Sequence, residues 1–323
     1  MKKWALLLRY IFSDWRLARA YRAGNLNSRG GSTHSRFTLD QSLAYIDRVF
    51  TEYFEFGGLL PREIRDWQVL EAGPGDNFGV ALRFLTAGAG KVTCLDKFYA
   101  ERDEIHQAKI YRALRERLSG EEAVEFDRIV RWENELARFD PARLEYIYGL
   151  GLEESEGRLR AGSFDLVISR AVLTEIPDAE KSFQVMDRLL KPGGLMLHKI
   201  DLSDYDMLSG LGYSPLEFLT VPESIWKAMA SHAGRPNRRR VNFYRDILDR
   251  LGYDSQLHIV QLAGKRESAG PGRLRLETIP PALREELRQI RPRLAAPFRS
   301  LTDEDILISD LFMTARKPAN RSV

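Results

Sequence analysis

The most informative segment of this 323-residue chain is Val69-Leu-Glu-Ala-Gly-Pro-Gly-Asp-Asn-Phe78, an apolar strand that runs through a glycine turn into a helix. Gly73 and Gly75 remove side chains where a ligand approaches the backbone, and the helix start presents free amides. Asp96 ends the next predicted strand, 21 residues after Gly75. Because a carboxylate there can accept both hydroxyls of a ribose, the pattern predicts a nucleoside ligand.

Glu71 separates the two nucleoside cofactors that fit this pattern, NAD and S-adenosylmethionine. Its carboxylate stands at the strand end, where the pyrophosphate of a dinucleotide needs neutral or positive surroundings. S-adenosylmethionine instead carries an ammonium, which Glu71 can hold, and a sulfonium. The third glycine of the dinucleotide motif is also absent, because Phe78 stands at its position and Gly79 follows. The segment therefore favours S-adenosylmethionine.

From Trp67 onward, short apolar runs alternate with amphipathic segments, which is typical of βα units around a parallel sheet. We predict strands at Gln68–Glu71, Val92–Asp96, Leu144–Tyr148, Phe164–Ser169, Leu195–Ile200, Gln256–Leu262 and Ile306–Ala315. The predicted helices are Phe78–Leu85, Glu101–Leu118, Asp178–Leu190 and Phe243–Leu251, the last of them capped by Asn242. Lys191-Pro-Gly-Gly194 is predicted to be a turn, and residues 120–143 receive no assignment.

Two further helices are predicted before these units. In the first, the apolar residues recur at helical spacing and form one face; they are Trp4, Leu7, Leu8, Ile11, Trp15 and Ala18. Residues 1–36 contain eight Lys or Arg residues and one acidic residue, whereas the whole chain has a net charge of +3. Two interpretations stay open: residues 4–22 contact a membrane surface, or the apolar face packs on the core. The second helix starts at the capping box of Thr38 and Gln41 and ends at Gly57-Gly58.

A later region is Ser163-Phe-Asp-Leu-Val-Ile-Ser-Arg-Ala-Val-Leu-Thr-Glu-Ile-Pro-Asp178, followed by a predicted helix and by Leu189-Leu-Lys-Pro-Gly-Gly-Leu-Met-Leu197. Together with the glycine turn, residues 67–202 resemble the class I S-adenosylmethionine-dependent methyltransferases. The resemblance implies an α/β fold with a Rossmann-like, seven-stranded, mostly parallel, doubly wound sheet, N-terminal helices and a C-terminal insertion. We expect a helical arm and cap at 1–60, the cofactor-binding core at 61–202, and a substrate-side insertion with the last strands at 203–323.

In that family the glycine turn wraps the methionine part of the cofactor, the acid after the second strand binds the ribose, and the loop after the third strand covers the adenine. By position, the resemblance implies a binding set for S-adenosyl-L-methionine of Glu71, Gly73, Gly75, Asp96, Lys97, Gly151, Leu152, Ser169 and Arg170. The chain departs from the family pattern in two places. No acid directly follows the third strand, where Tyr148-Gly-Leu-Gly-Leu152 precedes Glu153, and Leu173-Thr-Glu175 replaces a frequent Leu-Glu-His.

Methyl transfer from a sulfonium needs mainly alignment, but an alcohol acceptor must also lose its proton. The candidate bases at predicted strand ends are Glu175, His198 and Asp201, although alternation puts His198 and Asp201 on opposite faces of one strand. The candidate acceptor-binding residues are His34 in a glycine-rich loop and the arginines Arg235, Arg238 and Arg240, which can hold an acidic group. For Asp201, Asp204 and Asp206 we favour a capped polar loop over a cation site and predict no metal.

The predicted activity is methyl transfer to a hydroxyl of a small molecule or glycan. Base methylation of nucleic acids is disfavoured on two grounds. In the related families that methylate nucleobase amino groups, an Asn/Asp-Pro-Pro-aromatic loop follows the fourth strand, whereas this chain has Ser169-Arg-Ala-Val172. Methylation of a pyrimidine carbon needs a cysteine nucleophile, and the single cysteine, Cys94, lies inside a predicted strand. The basic arm keeps RNA ribose methylation as an alternative, and a catalytically silent binding protein is another. The single cysteine and the lack of a long apolar stretch predict a cytoplasmic protein, membrane-peripheral if the first helix binds lipid.

Overall fold

The computed structural model describes residues 2–28, 31, 33–232, 234–264 and 279–319. A seven-stranded sheet lies at its centre, with strands β1 (Gln68–Ala72), β2 (Lys91–Asp96), β3 (Leu144–Tyr148), β4 (Phe164–Arg170), β5 (Leu190–Asp201), β6 (Asp254–Leu262) and β7 (Ile308–Arg316). Their spatial order is β6-β7-β5-β4-β1-β2-β3. The predicted α/β fold with a seven-stranded, mostly parallel sheet is confirmed.

The strand order reverses between β1 and β4. β1 pairs in parallel with both β2 and β4, and β2 pairs in parallel with β3. The direction of β7 relative to β5 differs from these parallel pairs. The amide of Gly193, early in β5, donates to the carbonyl of Lys317 just after β7, whereas the amide of Leu202, just after β5, donates to the carbonyl of Ser309 early in β7. The two strands therefore run antiparallel. In open α/β sheets, ligands bind beyond the carboxyl ends of the strands at such a reversal.

The described residues contain ten α-helices: α1 (Lys2–Arg22), α2 (Leu39–Gly57), α3 (Gly79–Thr86), α4 (Glu104–Glu116), α5 (Gly120–Ile129), α6 (Ala179–Leu189), α7 (Glu223–Ala230), α8 (Val241–Arg250), α9 (Pro281–Ile290) and α10 (Asp303–Leu307). Two short strand pairs accompany them: Asn27–Ser28 pairs with Tyr99–Ala100, and Val130–Glu133 pairs with Leu136–Phe139.

The helix α2 forms for the reasons that its sequence predicts. The side chain of Thr38 accepts a hydrogen bond from the amide of Gln41, whose own side chain accepts from the amide of Thr38. The helix ends where Gly58 takes a left-handed conformation with φ 60°. Its buried face includes Phe50 and Phe54, whose rings lie 5.4 and 5.6 Å from that of Phe84 in α3. Each such buried ring contributes about 1.5–3 kcal/mol by removing apolar surface from water.

Three local predictions are corrected by the structure. The cap of α8 is Arg240 rather than Asn242, because Val241 is already helical. Lys191-Pro-Gly-Gly194 lies within β5 rather than in a free turn, since the backbone of Gly193 and Gly194 pairs with Lys317. Residues 120–143, unassigned from sequence, contain α5 and the antiparallel pair Val130–Glu133 and Leu136–Phe139.

The chain divides into two compact units. The turn unit, which contains the glycine turn, comprises Leu26–Arg170, Gln184–Leu197 and Arg316–Val323. The arm unit, which contains α1, comprises Met1–Asn25, Ala171–Phe183 and His198–Ala315.

The N-terminal helix exists as predicted, but its apolar residues do not share one environment. Leu7 and Ala18 are buried within the arm unit, whereas Trp4, Leu8 and Trp15 are exposed. The six residues span about 100° of the helix circumference and therefore form one face, of which one edge is buried and the other edge is exposed. Within the described residues, no helix is long and apolar enough to cross a membrane.

Candidate active site

The glycine turn directly follows β1. Gly73 and Gly75 have φ angles of 71° and 69°, which disfavour a residue with a Cβ. Glu71 lies in β1 beside Cys94 of β2, whose thiol donates to Glu71 Oε2 over 3.6 Å. Burial raises the pKa of Glu71 to about 7, partly opposed by this thiol contact. A buried carboxyl group in this state gains most from a ligand that brings a positive charge.

Asp96 closes β2 and meets the turn after β1. Its carboxylate accepts hydrogen bonds from backbone amides, including those of Phe98, Gly75 and Lys97. Burial nevertheless raises the pKa of Asp96 to about 6, with these amides and Arg102 opposing the rise. The structure thus brings together two predicted cofactor residues, Gly75 and Asp96, through a direct hydrogen bond.

The described residues between 26 and 37 contact the segments that follow three strands of the turn unit. Leu26 lies against Gly149 after β3, where a Cβ would stand 2.8 Å from its side chain, and its carbonyl accepts from the amide of Tyr99. Further on, the carbonyl of Gly31 accepts from the amide of Asp76, and a Cβ at Gly75 would lie 2.6 Å from that oxygen. The space that Gly75 leaves is therefore used by the chain's own backbone.

His34 lies in this segment and is fixed next to the glycine turn. Asp76 accepts hydrogen bonds from the amides of His34 and Ser35 at 3.1 and 2.9 Å. The His34 ring is 5% exposed and stands edge-on to the ring of Tyr45, with centroids 5.3 Å apart. Burial lowers the pKa of His34 to about 4, against the opposing charge of Asp76. The imidazole is accordingly neutral at physiological pH.

Three tyrosines cluster at the ends of β2 and β3. The ring of Tyr99 lies 5.1 Å from that of Tyr148 and 6.3 Å from that of Tyr146. Arg102 stacks on the rings of Tyr99 and Tyr146 and donates to the carbonyl of Gly75 at 3.2 Å. The ring of Tyr148 is half exposed. This tyrosine cluster offers flat apolar surface beside Asp96.

Lys97 links the loops that follow β2 and β3. Its ammonium lies 2.9 Å from Glu153 and 3.3 Å from Glu154, and these contacts raise its pKa although burial acts to lower it. The loop after β3 contains the predicted residues Gly151 and Leu152, of which Leu152 is buried. Lys97 therefore braces the predicted adenine loop through its ion pairs.

Ser169 and Arg170 end β4 in the turn unit. Ser169 is buried, and Arg170 donates to Glu52 while its guanidinium lies 5.7 Å from the ring centroid of Tyr45. Burial acts to lower the pKa of Arg170, but Tyr45 and Glu52 outweigh it and raise the value. Tyr45 is thus a neighbour of both Arg170 and His34.

In the arm unit, the segment after β4 forms an oxygen-rich cluster, called the hydroxyl cluster below. Thr174 Oγ1 lies 2.6 Å from the hydroxyl of Tyr205, which also donates to the carbonyl of Ala171 at 3.4 Å. Burial, then the charges of Glu175 and Asp201, raise the pKa of Tyr205 far above its usual range. Glu175 is half-buried, and its Oε2 would lie 3.0 Å from a Cβ at Gly234.

The backbone around the hydroxyl cluster is strained. Ala171, Tyr205 and Asp206 have φ angles of 56°, 52° and 57°. For residues with a Cβ this left-handed region costs energy and is retained mainly where the surroundings enforce it, often at functional sites. Asn237 supplies part of that enforcement, since its amide donates to Thr174 and its side chain donates to the carbonyls of Leu173 and Ile176.

The other two candidate bases differ from Glu175. His198 is fully buried inside β5, and burial lowers its pKa to about 3. Asp201 ends β5 and accepts a hydrogen bond from the amide of Ser203 at 2.8 Å. Of the three, Glu175 and Asp201 have electrostatic contact with Tyr205.

The three arginines predicted to bind an acidic group are engaged within the arm unit. Arg235 donates to Ser13 Oγ at 2.9 Å and to the carbonyl of Tyr10. Arg238 is 4% exposed and donates to the carbonyls of Phe218 and Val221 and to Glu223. Arg240 is 2% exposed and donates to the carbonyls of Leu202, Asp305, Ile306 and Ile308. These bonds give no support to a role in acceptor binding.

The polar loop after β5 is capped as its sequence suggests. Asp204 accepts hydrogen bonds from the amides of Asp206, Leu208 and Ser209. Across the described residues, no group of three or more His, Cys, Asp or Glu side chains is arranged to hold a metal ion.

The model of the methyltransferase domain family (Methyltransf_11) matches residues 136–198. These residues are similar to that family, and they cover less than half of the chain. The turn unit fits S-adenosylmethionine, since a buried acid stands in the strand before the glycine turn and a second acid ends β2. No curated protein matches this chain.

Several solved structures are similar to this chain. Phosphoethanolamine N-methyltransferase 2 of Haemonchus contortus, in complex with S-adenosyl-L-methionine, is 17% identical with a TM-score of 0.43, and the alignment covers 84% of this chain and 52% of that one. The same enzyme with phosphomonomethylethanolamine and S-adenosylhomocysteine is 16% identical with a TM-score of 0.44, and the alignment covers 90% of this chain and 60% of that one. A sarcosine dimethylglycine methyltransferase from Galdieria sulphuraria, described as putative, is 15% identical with a TM-score of 0.40, and the alignment covers 85% of each chain. The chain thus spans about half of the first enzyme's length, and these acceptors are those proteins' own.

Sequence reasoning missed six residues of these clusters: Tyr99, Arg102, Tyr146, Tyr148, Thr174 and Tyr205. Tyr146 and Tyr148 alternate on β3, so their shared face was readable from the strand pattern. Arg102 and Tyr205 carry no such signal, because each depends on partners from other segments.

Proposed function

We propose that this chain is a methyltransferase, which transfers the methyl group of S-adenosylmethionine to a hydroxyl group of a small-molecule or glycan acceptor. The supporting observation is the hydroxyl cluster, in which Tyr205 and Thr174 share a 2.6 Å hydrogen bond beside the carboxylates Glu175 and Asp201. Oxygen-rich side chains held on strained backbone suit the binding and orientation of an alcohol.

In this proposal Glu175 accepts the proton of the acceptor hydroxyl. A half-buried carboxylate next to the hydroxyl cluster can form that contact, whereas His198 is sealed inside β5. Tyr205 and Thr174 orient the hydroxyl, and Asn237 positions the loop that carries Thr174 and Glu175.

For the cofactor we propose the following contacts with residues of the turn unit. Glu71 holds the ammonium group, the turn of Gly73 and Gly75 follows the methionine part, and Asp96 accepts the ribose hydroxyls. The tyrosine cluster, through the exposed ring of Tyr148, contacts the adenine. When bound, the cofactor supplies an electrophilic methyl group on a sulfonium.

Incubation with S-adenosylmethionine labelled in its methyl group tests the acceptor class. The panel contains phenols, sugar alcohols and oligosaccharides, with matched primary amines and RNA oligonucleotides as comparison. We expect label in alcohols that is lost in the Glu175→Gln variant and kept in Glu180→Gln, an exposed glutamate of the same unit that pairs with Arg250. Label confined to amines or RNA, or none in any acceptor despite cofactor binding, would contradict the proposal.

A further inference from the structure

The outer face of α1 carries large apolar side chains in contact with solvent. Trp4, Leu8, Phe12 and Trp15 are 52%, 66%, 58% and 55% exposed. At 100° per residue they span about 80° of the helix circumference, so they form one continuous stripe. The rings of Phe12 and Trp15 stack with centroids 5.9 Å apart. A soluble surface rarely collects so many large apolar groups without a partner.

The neighbouring face of α1 is fixed within the arm unit, which determines the direction of the stripe. Lys3 forms an ion pair with Glu217 at 2.6 Å near the start of the helix. In the middle, Asp14 accepts from the amide of His232 at 2.8 Å and lies 2.9 Å from its ring nitrogen. Arg235 adds hydrogen bonds to the same face. The stripe is therefore the side of α1 that these contacts leave open.

Positive charge borders the stripe. Arg9, Arg16, Arg19 and Arg22 are exposed on α1, and the guanidinium of Arg19 lies 5.9 Å from the ring centroid of Trp15. The one acidic residue of the helix, Asp14, is 3% exposed and faces inward. The outer surface of α1 thus combines Trp, Leu and Phe with arginines and has no exposed acid.

We propose that this outer face of α1 docks on the surface of an anionic lipid bilayer. Tryptophan and leucine side chains enter the boundary between headgroups and acyl chains, while arginines contact lipid phosphates; this combination characterises helices that lie in the interface. The occupant matches both features of the surface, because a bilayer offers apolar depth and negative charge together. The helix lies along the membrane, consistent with the finding that no described helix can cross it.

Flotation of the full chain with vesicles tests the docking. The vesicles contain phosphatidylcholine alone or phosphatidylcholine with about one third phosphatidylglycerol. We expect binding to the anionic vesicles that weakens at high salt and falls about tenfold in Leu8→Gln and in Arg9→Gln/Arg16→Gln. The matched controls are Leu211→Gln, at an exposed leucine of the same unit, and Arg158→Gln/Arg160→Gln, both of which should bind as the native chain does.

Circular dichroism and the thermal midpoint verify that the variants fold. Equal binding to neutral and anionic vesicles, binding that the α1 variants leave unchanged, or no vesicle binding at all would overturn the proposal. It is also overturned if sedimentation shows a dimer that Leu8→Gln abolishes, since a second copy would then cover the stripe. Binding to an RNA oligonucleotide in place of vesicles would have the same consequence. None of these outcomes depends on the acceptor of the methyl group.

Discussion

In the turn unit, the residues that we assign to the cofactor come from β1, β2, β3 and the turn after β1, whereas the hydroxyl cluster of the arm unit joins the segment after β4 to the segment after β5, about thirty positions later. The electrostatics differ as well. Glu71 is buried and Asp96 is half-buried, and burial raises their pKa values to about 7 and 6, which suits a cationic ligand. Glu175 is half-buried beside hydroxyl groups, which suits proton removal. Changes in one unit should therefore alter cofactor affinity, and changes in the other should alter the rate.

The largest expected effect is on the rate. Glu175→Gln removes the proposed proton acceptor and should lower kcat by about 10²–10⁴-fold, the usual contribution of a positioned base. The dissociation constant of S-adenosylmethionine, measured by calorimetry, should stay the same because Glu175 lies outside the turn unit. Glu180→Gln serves as the control. An unchanged kcat in Glu175→Gln would show that Glu175 is not the base, and the proposed difference between the two units would then be contradicted.

The second expected effect is on stability without cofactor. Since the folded state holds Glu71 with a pKa near 7 instead of 4.5, it binds more protons than the unfolded state between these pH values. Stability therefore falls as pH rises through that window, and the loss is complete above it. Glu71→Gln stays neutral, so at pH 8 it should be more stable than the native chain by about 3 kcal/mol. Below pH 4 the difference should vanish.

Denaturant unfolding at pH 4, 6 and 8 measures this difference, with Glu145→Gln, an exposed glutamate paired with Lys91, as the control. An unchanged gap between native and variant chains across the pH range would show that Glu71 is ionised at no cost in the free protein. The proposed electrostatic difference between the buried Glu71 and the half-buried Glu175 would then be contradicted.

The sheet could be predicted from the sequence because each strand is a short apolar run bounded by turn residues. The limits of β3 agree residue for residue, and the capping box of Thr38 and Gln41 is present as expected. Lys191-Pro-Gly-Gly194 was misassigned, because pairing with Lys317, far away in sequence, extends β5 through it. The same limit applies to the arginines before α8, whose partners are carbonyls of other segments.

In the candidate site, the position of a residue in a strand end or directly after it could be predicted from the sequence, whereas the segments that cross over that end could not, and the roles of these residues toward a cofactor stay predictions. Glu71, Gly75 and Asp96 were readable as a spacing pattern. That Gly31 places its carbonyl over Gly75 was not, since no local pattern shows which loop returns to a given turn. Tyr205 was missed for the same reason: its role depends on Thr174 and Ala171, about thirty positions earlier.

The third expected effect is on cofactor affinity. Asp96→Asn replaces charged hydrogen bonds to the ribose by neutral ones, and should weaken S-adenosylmethionine binding by about 2 kcal/mol, about thirtyfold in Kd. Calorimetry measures it, with Asp127→Asn, an exposed aspartate of the same unit paired with Arg115, as the control. Saturating cofactor should restore kcat, because the hydroxyl cluster is untouched. If kcat stays low at saturating cofactor, Asp96 also acts on the chemical step, and cofactor affinity and reaction rate do not divide between the two units.

The smallest expected effect tests the tyrosine cluster. The ring of Tyr148 packs 5.1 Å from Tyr99 and keeps half of its surface exposed, so it can stack on an adenine without rearranging the loops that Lys97 braces. An aromatic pair contributes about 1 kcal/mol, so Tyr148→Ala should raise the Kd of S-adenosylmethionine about fivefold. Tyr148→Phe keeps the ring and should bind as the native chain does. An equal loss of affinity in both variants would show that the hydroxyl of Tyr148, and not its ring, contacts the cofactor. An unchanged Kd in Tyr148→Ala would show that the adenine does not contact Tyr148.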